Sequence, residues 1–290
     1  MAGGVDECES IAPVRDFDAS VDGDVASEAV DALAADGVIC LREAFGKQWL
    51  DTIETGIAEA LGGASTDVDI VKRDGDAGSF SFSSGAWQSV HAFRHFIFDS
   101  HLPDIAWTLL GGSHVALFYD FLLLKEPHSD SASTPWHQDH SYYPLDGFKA
   151  INSWVALDEI PMESTLRFMR GSHRSRTLFR AVDFDDPDAD YRHARTELPR
   201  PPGADNGTEV LATAMQPGDT LVWSSHTVHS APGNRLDRRR AAFSVNWIGD
   251  DVTFNDKPSL DTYRDPSQVV GEPIVCDKFP VVRGDSGQRS

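Results

Sequence analysis

The sequence predicts a mainly β fold in which a few helices precede an all-β core. Two observations support this prediction. Segments with helical spacing of apolar residues are confined to the chain before Val115, whereas short apolar or alternating segments bounded by Pro, Gly or Asn turns recur after it. No internal repeat or composition break divides the second part. We therefore expect residues 1–290 to form a single domain with residues 115–250 as its β core.

The part before the core begins with residues 1–24, which we expect to be flexible. Apolar residues then recur with helical spacing over residues 25–35, and Gly37 ends this helix. The other elements predicted here are a strand at residues 38–41, a helix at 47–61, a loop or short edge strand at 79–88 and a short helix at 101–110. Helices thus lie ahead of the strands.

Five segments of the second part are predicted to be strands. They are VALFYDFLLLK (115–125), WHQDHSYY (136–143), AINSWVALDEI (150–160), DTLVWSS (219–225) and RRAAFSVNWI (239–248). Residues 181–209, which we call the lid segment, are rich in Asp, Pro and Arg and have no clear period. We expect the lid segment to be a surface excursion or a lid over a site.

Charge and cysteine content exclude several classes of function. The formal net charge of −21 disfavours a nucleic-acid partner, because phosphate binding needs a concentrated basic surface. Cys8, Cys40 and Cys276 lack the paired spacing of a zinc site or a disulfide framework, which fits a reducing cytoplasm. No apolar stretch is long enough to span a membrane. We expect a cytoplasmic protein, monomeric or a small homo-oligomer, that acts on a small molecule.

A metal site is indicated by His137 and Asp139. In extended backbone, residues two apart point to the same face, so one strand end can offer an imidazole and a carboxylate to one ion. Two His and one carboxylate leave open positions on a non-haem iron. The candidates for the second His are His226 and His229, and spacing alone leaves both open. His-x-Asp by itself is also common at ordinary strand ends.

The strand after these histidines has one polar and one apolar face. Arg240, Ala242, Ser244 and Asn246 share the first, and the residues between them share the second. A buried Arg with room in front of it is suited to a bidentate pair with a carboxylate. The two arginines before Arg240 are expected in a solvated turn. Arg240 is therefore a candidate for binding a carboxylate ligand.

Taken together, these motifs resemble a known family. LLLKEP, WHQDHSYYP, INSWVALDEIP, RGSHR, GDTLVWSSHTVHSAPGN and RRAAFSVNW follow one another in the order found in the phytanoyl-CoA dioxygenase (PhyH-like) family of Fe(II)/2-oxoglutarate-dependent oxygenases. The resemblance runs from about residue 37 to residue 247. It implies a double-stranded β-helix, that is, a jelly-roll or cupin-like core, with N-terminal helices packed on it.

The resemblance also implies roles for individual residues. Fe(II) would be bound by His137, Asp139 and His229, with 2-oxoglutarate and O₂ as co-substrates. Arg240 would pair with the far carboxylate of 2-oxoglutarate. Lys125 and Trp154 lie where the family lines the same co-substrate pocket. Because the ligand position of Asp139 is filled, the resemblance argues against an aliphatic halogenase, which leaves that position to chloride.

The activity implied is that of a dioxygenase that oxidises a metabolite, by hydroxylation as the default, and releases succinate and CO₂. The alternative is a non-catalytic cupin-like protein that binds a small molecule. A zinc hydrolase could use the same ligands but leaves Arg240 unexplained. An acyl-CoA substrate is disfavoured by the acidic composition, so we expect a smaller metabolite. The aromatic residues that we consider for its pocket are Phe80, Phe82, Trp87, Tyr142 and Tyr143.

Overall fold

The computed structural model describes residues 11–19, 23, 25–65, 68–186, 188–203 and 207–284. Its α-helices are α1 (Ser27–Asp36), α2 (Lys47–Glu59), α3 (His91–Asp99) and α4 (Leu102–Leu110). Its first strands are β1 (Ile11–Pro13), β2 (Asp16–Asp18), β3 (Val38–Arg42), β4 (Val68–Val71), β5 (Phe80–Ser84), β6 (His114–Lys125), β7 (Thr134–His137) and β8 (Leu145–Asp146). The later strands are β9 (Ala150–Ala156), β10 (Arg167–Met169), β11 (Val210–Ala212), β12 (Thr220–Ser224), β13 (His229–Ala231), β14 (Arg240–Gly249), β15 (Thr253–Phe254) and β16 (Val281–Gly284).

Most strands belong to one large mixed sheet. Its order is β2-β3-β12-β9-β14-β6-β5-β4, and β16 also pairs with β6. One face of β14 is apolar and carries the helices, since Phe93 of α3 stacks on Phe243 with ring centroids 4.3 Å apart. Burial of such a face supplies most of the stability of short amphipathic helices. The other face of the sheet is thereby left for the site.

A second sheet covers that other face. Its order is β1-β11-β10-β13-β7. Trp154 and Trp223 of the large sheet and Phe168 of the small sheet belong to one buried cluster between the two sheets. Two mixed sheets packed face to face, and not closed into a barrel, form the jelly-roll core that the sequence predicts.

The helices and central strands agree with prediction. Helix α1 ends at Gly37, whose positive φ of 86° allows its backbone N–H to reach the carbonyl of Leu33. The helices expected at 47–61 and 101–110 are present as α2 and α4. Helix α3 was not predicted. It has no side-chain cap at its start, and it is held by the burial of its phenylalanines.

Three expectations need correction. Within residues 1–24, β1 pairs with β11 and β2 with β3, so this part is not simply flexible, and residues 1–10 lie outside the described residues. The segment 79–88 contains β5, which lies inside the large sheet between β4 and β6. The strand expected at 136–143 ends at His137, and Asp139–Tyr142 forms a 3-10 turn. The first two errors come from strand pairing that local sequence does not reveal.

Other expectations concern the lid segment and the cysteines. The described residues of the lid segment contain no helix or strand, only an isolated bridge between Val182 and Asp190. Cys40 and Cys276 are buried free thiols, and Cys8 lies outside the described residues. In the part of the chain that the structure describes, no helix is both long and apolar enough to cross a membrane.

Candidate active site

The jelly roll brings His137, Asp139 and His229 together. His137 ends β7 and His229 begins β13, and the two are direct partners in the antiparallel register of these strands. Their ring centroids are 4.2 Å apart. Asp139 follows after one residue, at the start of the 3-10 turn. One ligand atom from each of the three residues lies within 4.8 Å of the other two, so a single ion could contact all three.

Hydrogen bonds orient both imidazoles. Nδ1 of His137 lies 2.8 Å from the carbonyl oxygen of Pro135, and Nδ1 of His229 lies 3.0 Å from that of Thr227. A carbonyl oxygen only accepts, so each Nδ1 carries the proton and donates it. This arrangement points Nε2 of each ring toward the other ligands, as outer hydrogen bonds do for metal-binding histidines. Burial lowers the pKa of His229 to about 4, which keeps that ring neutral.

The carboxylate of Asp139 faces both rings. Its Oδ1 is 3.4 Å from Nε2 of His137, and its Oδ2 is 3.6 Å from Nε2 of His229. Asn152 Nδ2 and Trp223 Nε1 donate hydrogen bonds to Oδ2, the latter at 3.0 Å. Burial alone would raise the pKa of Asp139, but the histidines and the hydrogen bonds outweigh it and lower the pKa to about 2. The carboxylate is therefore ionised.

This donor set fits a divalent iron. Two neutral imidazole nitrogens and one carboxylate are the ligands of mononuclear non-haem iron sites that keep open positions for other ligands. The donors from Asn152 and Trp223 fix the carboxylate in the way that outer partners support metal ligands. Sequence reasoning missed these two residues. Asn152 in an otherwise apolar buried strand was the available signal.

The three residues open onto a cavity of about 450 Å³. Arg240 lies on its wall and is only 4% exposed. One of its Nη atoms donates to the carbonyls of Ser164 and Pro232, at 2.6 and 3.1 Å. No carboxylate of a described residue pairs with Arg240, and burial lowers its pKa to about 10. It is a buried cation, still charged at neutral pH, with donors to spare.

Lys125 and Trp154 line the same cavity. Lys125 is the register partner of Arg240 across β6 and β14, and its Nζ donates to the carbonyls of Ala132 and Pro232. Burial, and then the charge of Arg240, lower the pKa of Lys125 well below its ordinary value. Trp154 is buried on β9, on the cavity side of that strand. All three residues expected at the co-substrate pocket therefore face one space.

Comparison with known proteins agrees with this geometry. The family model described as phytanoyl-CoA dioxygenase (PhyH) matches residues 33–242, which is more than half of the chain. The chain belongs to the phytanoyl-CoA dioxygenase family. The resemblance seen in the sequence motifs is thus confirmed at the level of the family, which is one of iron- and 2-oxoglutarate-dependent oxygenases.

Among curated relatives, the dioxygenase lolE1 of Epichloe uncinata is 28% identical over 52% of this chain and 53% of its own length. A probable phytanoyl-CoA dioxygenase of Caenorhabditis elegans is 24% identical over 51% of this chain and 48% of its own length. The chain thus spans about half the length of these relatives. They support the family but not a particular substrate.

Solved structures share the fold over nearly the whole chain. The non-haem 2-oxoglutarate-dependent carbocyclase SnoK from nogalamycin biosynthesis is 20% identical, with a TM-score of 0.71, and the match covers 91% of this chain and 99% of that one. The epimerase SnoN, in complex with Fe³⁺, 2-oxoglutarate and nogalamycin RO, is 21% identical, with a TM-score of 0.67 and coverage of 89% and 100%. At this identity the likeness shows the jelly-roll fold.

Other histidines and Gln138 of this family member lie away from the cavity. His226 stacks on His140 with ring centroids 3.9 Å apart, outside the His137 cluster. Gln138 points away from the metal cluster, as strand alternation predicts. Its amide donates to the carbonyl of Thr177 and accepts from the N–H of Phe179, both at 3.0 Å. Gln138 thus holds the chain just before the lid segment.

The cavity beyond the metal cluster is largely aromatic. Of the aromatic residues considered from the sequence, Phe82, Tyr142 and Tyr143 line it, whereas Phe80 and Trp87 do not. Besides Trp223, which bonds to Asp139, the lining aromatic residues that were not considered are Tyr119, Phe121, Phe184, Tyr191 and Tyr263. They come from β6, the lid segment and the C-terminal part, which meet only in the folded chain.

Proposed function

We propose that this protein is an Fe(II)- and 2-oxoglutarate-dependent dioxygenase that hydroxylates a small-molecule metabolite in the cytoplasm and releases succinate and CO₂. In this proposal His137, Asp139 and His229 hold the iron. Arg240 binds the far carboxylate of 2-oxoglutarate, and Lys125 and Trp154 line that pocket. The single observation that carries the proposal is a buried, unpaired Arg240 in the same cavity as the His-Asp-His cluster.

The buried Arg240 and the His-Asp-His cluster together favour an oxygenase over a site that only binds a metal. A buried guanidinium without a carboxylate is costly, and an anionic ligand that forms two parallel hydrogen bonds with it offsets that cost. 2-Oxoglutarate has one carboxylate for Arg240, and its 2-oxo acid end for the metal side of the cavity. A single ligand that carries both groups thus accounts for both features.

The protein's part in the reaction is to bind, orient and exclude water. When bound, iron supplies the O₂-activating redox chemistry that side chains lack. Asn152 and Trp223 hold Asp139 in place through hydrogen bonds, and the backbone carbonyls fix the two histidines. Phe184 of the lid segment packs on His137, with ring centroids 4.8 Å apart, and limits access of water.

Succinate formation from 2-oxoglutarate tests the proposal against the non-catalytic alternative. The purified protein is incubated with 2-oxoglutarate and O₂, with and without added Fe(II), and succinate is measured by mass spectrometry. An oxygenase releases succinate only when iron and O₂ are both present, even slowly without its prime substrate. A protein that only binds small molecules returns 2-oxoglutarate unchanged, and that result would reject the proposal.

A further inference from the structure

The half of the cavity formed by β4 and the lid segment is bordered by acidic side chains. Asp69 on β4 pairs in register with Phe82 on β5, so both side chains point to the same face of the sheet, toward the cavity. Asp183 and Asp185 of the lid segment line the cavity from the other side. The two cations that line it, Lys125 and Arg240, are register partners on β6 and β14, and the row of Phe82 and Asp69 is the next row of side chains on that face of the sheet.

Two of these carboxylates have no cationic partner. Asp185 is ion-paired with Arg73. Asp183 accepts hydrogen bonds from the backbone N–H groups of Asp185 and Asp186 through its Oδ1, which leaves Oδ2 without a partner. Among the described residues, no Lys, Arg or His forms an ion pair with Asp69 or Asp183. Their negative charge is therefore available to a ligand.

Independent of the acidic groups, two buried polar side chains on the cavity wall have a hydrogen-bonding atom that no described residue uses. Ser244 is 5% exposed, lines the cavity, and makes no hydrogen bond with any described residue. Asn246 is 3% exposed, and its Nδ2 reaches the carbonyl of Tyr119 at 3.4 Å, while its Oδ1 accepts nothing. Buried polar groups are almost always satisfied, so these two indicate a polar ligand inside the cavity.

Aromatic rings complete this half. Phe184 packs edge-on against Tyr142 at 5.4 Å, and Tyr191 packs against the same tyrosine at 5.3 Å. Phe82 is the cross-strand partner of Asp69, and Phe184 follows Asp183 in sequence, so a ring lies next to each unpaired carboxylate. The negative faces of such rings attract organic cations also at sites that are partly open to water, as here, where Asp69 is exposed and Asp183 is half-buried. Rings and carboxylates together favour a positively charged ligand, whereas a neutral apolar ligand would leave the carboxylates unused.

We propose that the prime substrate is an organic amine whose cationic nitrogen is bound between Asp69 and Asp183, with its carbon skeleton against the aromatic wall. The proposal rests on the oxygenase function only in that it takes the occupant of this half to be the prime substrate. It also excludes the acyl-CoA class, because the phosphates of CoA would meet two unpaired carboxylates in a chain of net charge −21.

A pair of isosteric probes tests the proposal. Binding of 2-phenylethylamine and of 2-phenylethanol is measured by calorimetry on the metal-free protein, so that no catalysis is needed. We expect the amine to bind roughly ten-fold tighter than the alcohol at low salt. This ratio should shrink as the salt concentration rises from about 50 mM to about 500 mM. A ratio near one, or no binding of either probe, would overturn the proposal.

Variants that neutralise Asp69 or Asp183 test whether these two carboxylates cause the preference for the amine. Asp69→Asn and Asp183→Asn should each bind the amine about three-fold more weakly than the wild type, and each should bind the alcohol as the wild type does. Asp183→Asn keeps the Oδ1 that accepts the two backbone N–H groups, so the local turn is preserved. The matched control is Asp186→Asn, which removes a charge from the same lid segment but does not line the cavity. Equal losses in Asp183→Asn and Asp186→Asn would contradict a specific contact.

The two proposals can fail separately. Succinate formation by the wild type without any amine tests the oxygenase, and the amine-to-alcohol ratio on metal-free protein tests the substrate class. Succinate formation combined with a ratio near one would reject the amine and keep the oxygenase. A ten-fold ratio without succinate formation would reject the oxygenase and leave an amine-binding protein.

Discussion

The two ends of the cavity are built in different ways. At the Arg240 end, neighbouring central strands β6 and β14 fix the side chains by register, and backbone carbonyls hold the cationic groups of Arg240 and Lys125. At the other end, the described residues of the lid segment form no helix or strand. They are attached by side chains such as Tyr142, whose hydroxyl bridges the carbonyl and N–H of Val182. Rigid strands suit a co-substrate of fixed length, whereas a loop can be altered to suit another substrate without disturbing them.

The largest effect is expected where the two ends meet, at the metal cluster. His137→Ala, Asp139→Ala and His229→Ala should each abolish Fe(II)-dependent succinate formation, because removal of one of three ligands leaves too few to hold the ion. His226→Ala should retain most of the activity, since His226 stacks on His140 outside the cluster. An inactive His226→Ala together with an active His229→Ala would reverse the ligand assignment.

At the rigid end, Arg240→Ala should raise the KM for 2-oxoglutarate by one to two orders of magnitude. Loss of a charge-assisted bidentate pair costs roughly 1.5–3 kcal/mol. Arg240→Lys should recover only part of this, because an ammonium group lacks the planar fork. Iron affinity, measured by titration, should stay nearly unchanged. The control is Arg238→Ala, at a half-exposed residue paired with Glu159, which should leave KM unchanged.

At the adaptable end, Tyr142→Phe should loosen the lid segment and leave the KM for 2-oxoglutarate alone. The change removes hydrogen bonds of 2.8 and 3.0 Å to Val182 but keeps the ring. At about 0.5–1.5 kcal/mol for a hydrogen bond, amide exchange around Val182 should become roughly 2- to 12-fold faster. Tyr191→Phe is the matched control, because no described residue bonds to that hydroxyl. Equal exchange in both variants would show that Tyr142 does not anchor the lid segment.

The smallest effect is expected at Arg239, which directly precedes β14 and whose side chain lies away from the cavity, against Glu54 and Asp158. It bridges Glu54 and Asp158 and is partly exposed, at 30% of its side chain. Partly exposed ion pairs contribute little, so Arg239→Ala should lower the free energy of unfolding by roughly 0.5–1 kcal/mol. Denaturant unfolding measures this. The KM for 2-oxoglutarate should stay unchanged. A large rise in this KM would contradict the claim that Arg240, and not Arg239, binds the co-substrate.

The rigid end of the cavity was also the part that sequence could predict. Alternation in β14 sets Arg240 apart from Arg239, and the His-x-Asp spacing brings His137 and Asp139 together, because both rules depend on local backbone geometry. The assignment of roles to Lys125 and Trp154 came from family resemblance and stays a prediction. The structure shows only that they face the cavity.

The adaptable end could not be predicted in the same way. Tyr119 and Tyr263 meet in the cavity although they are far apart in sequence, and no local period signals such a contact. Asn152 and Trp223 reach Asp139 because they are direct partners across β9 and β12, and that register depends on the whole sheet. Helix α3 was missed for a related reason, since tertiary burial and not a capping motif stabilises it.

The central claim is that one cavity joins 2-oxoglutarate to O₂ chemistry at His137, Asp139 and His229. Its most direct test is mass spectrometry of the succinate formed by the iron-loaded wild type under isotopically labelled O₂. Oxidative decarboxylation of a 2-oxo acid by O₂ places one atom of oxygen in the new carboxylate. The account therefore predicts succinate with a single labelled oxygen, absent in Asp139→Ala and present in His226→Ala. Unlabelled succinate, or none at all from the iron-loaded wild type, would contradict it.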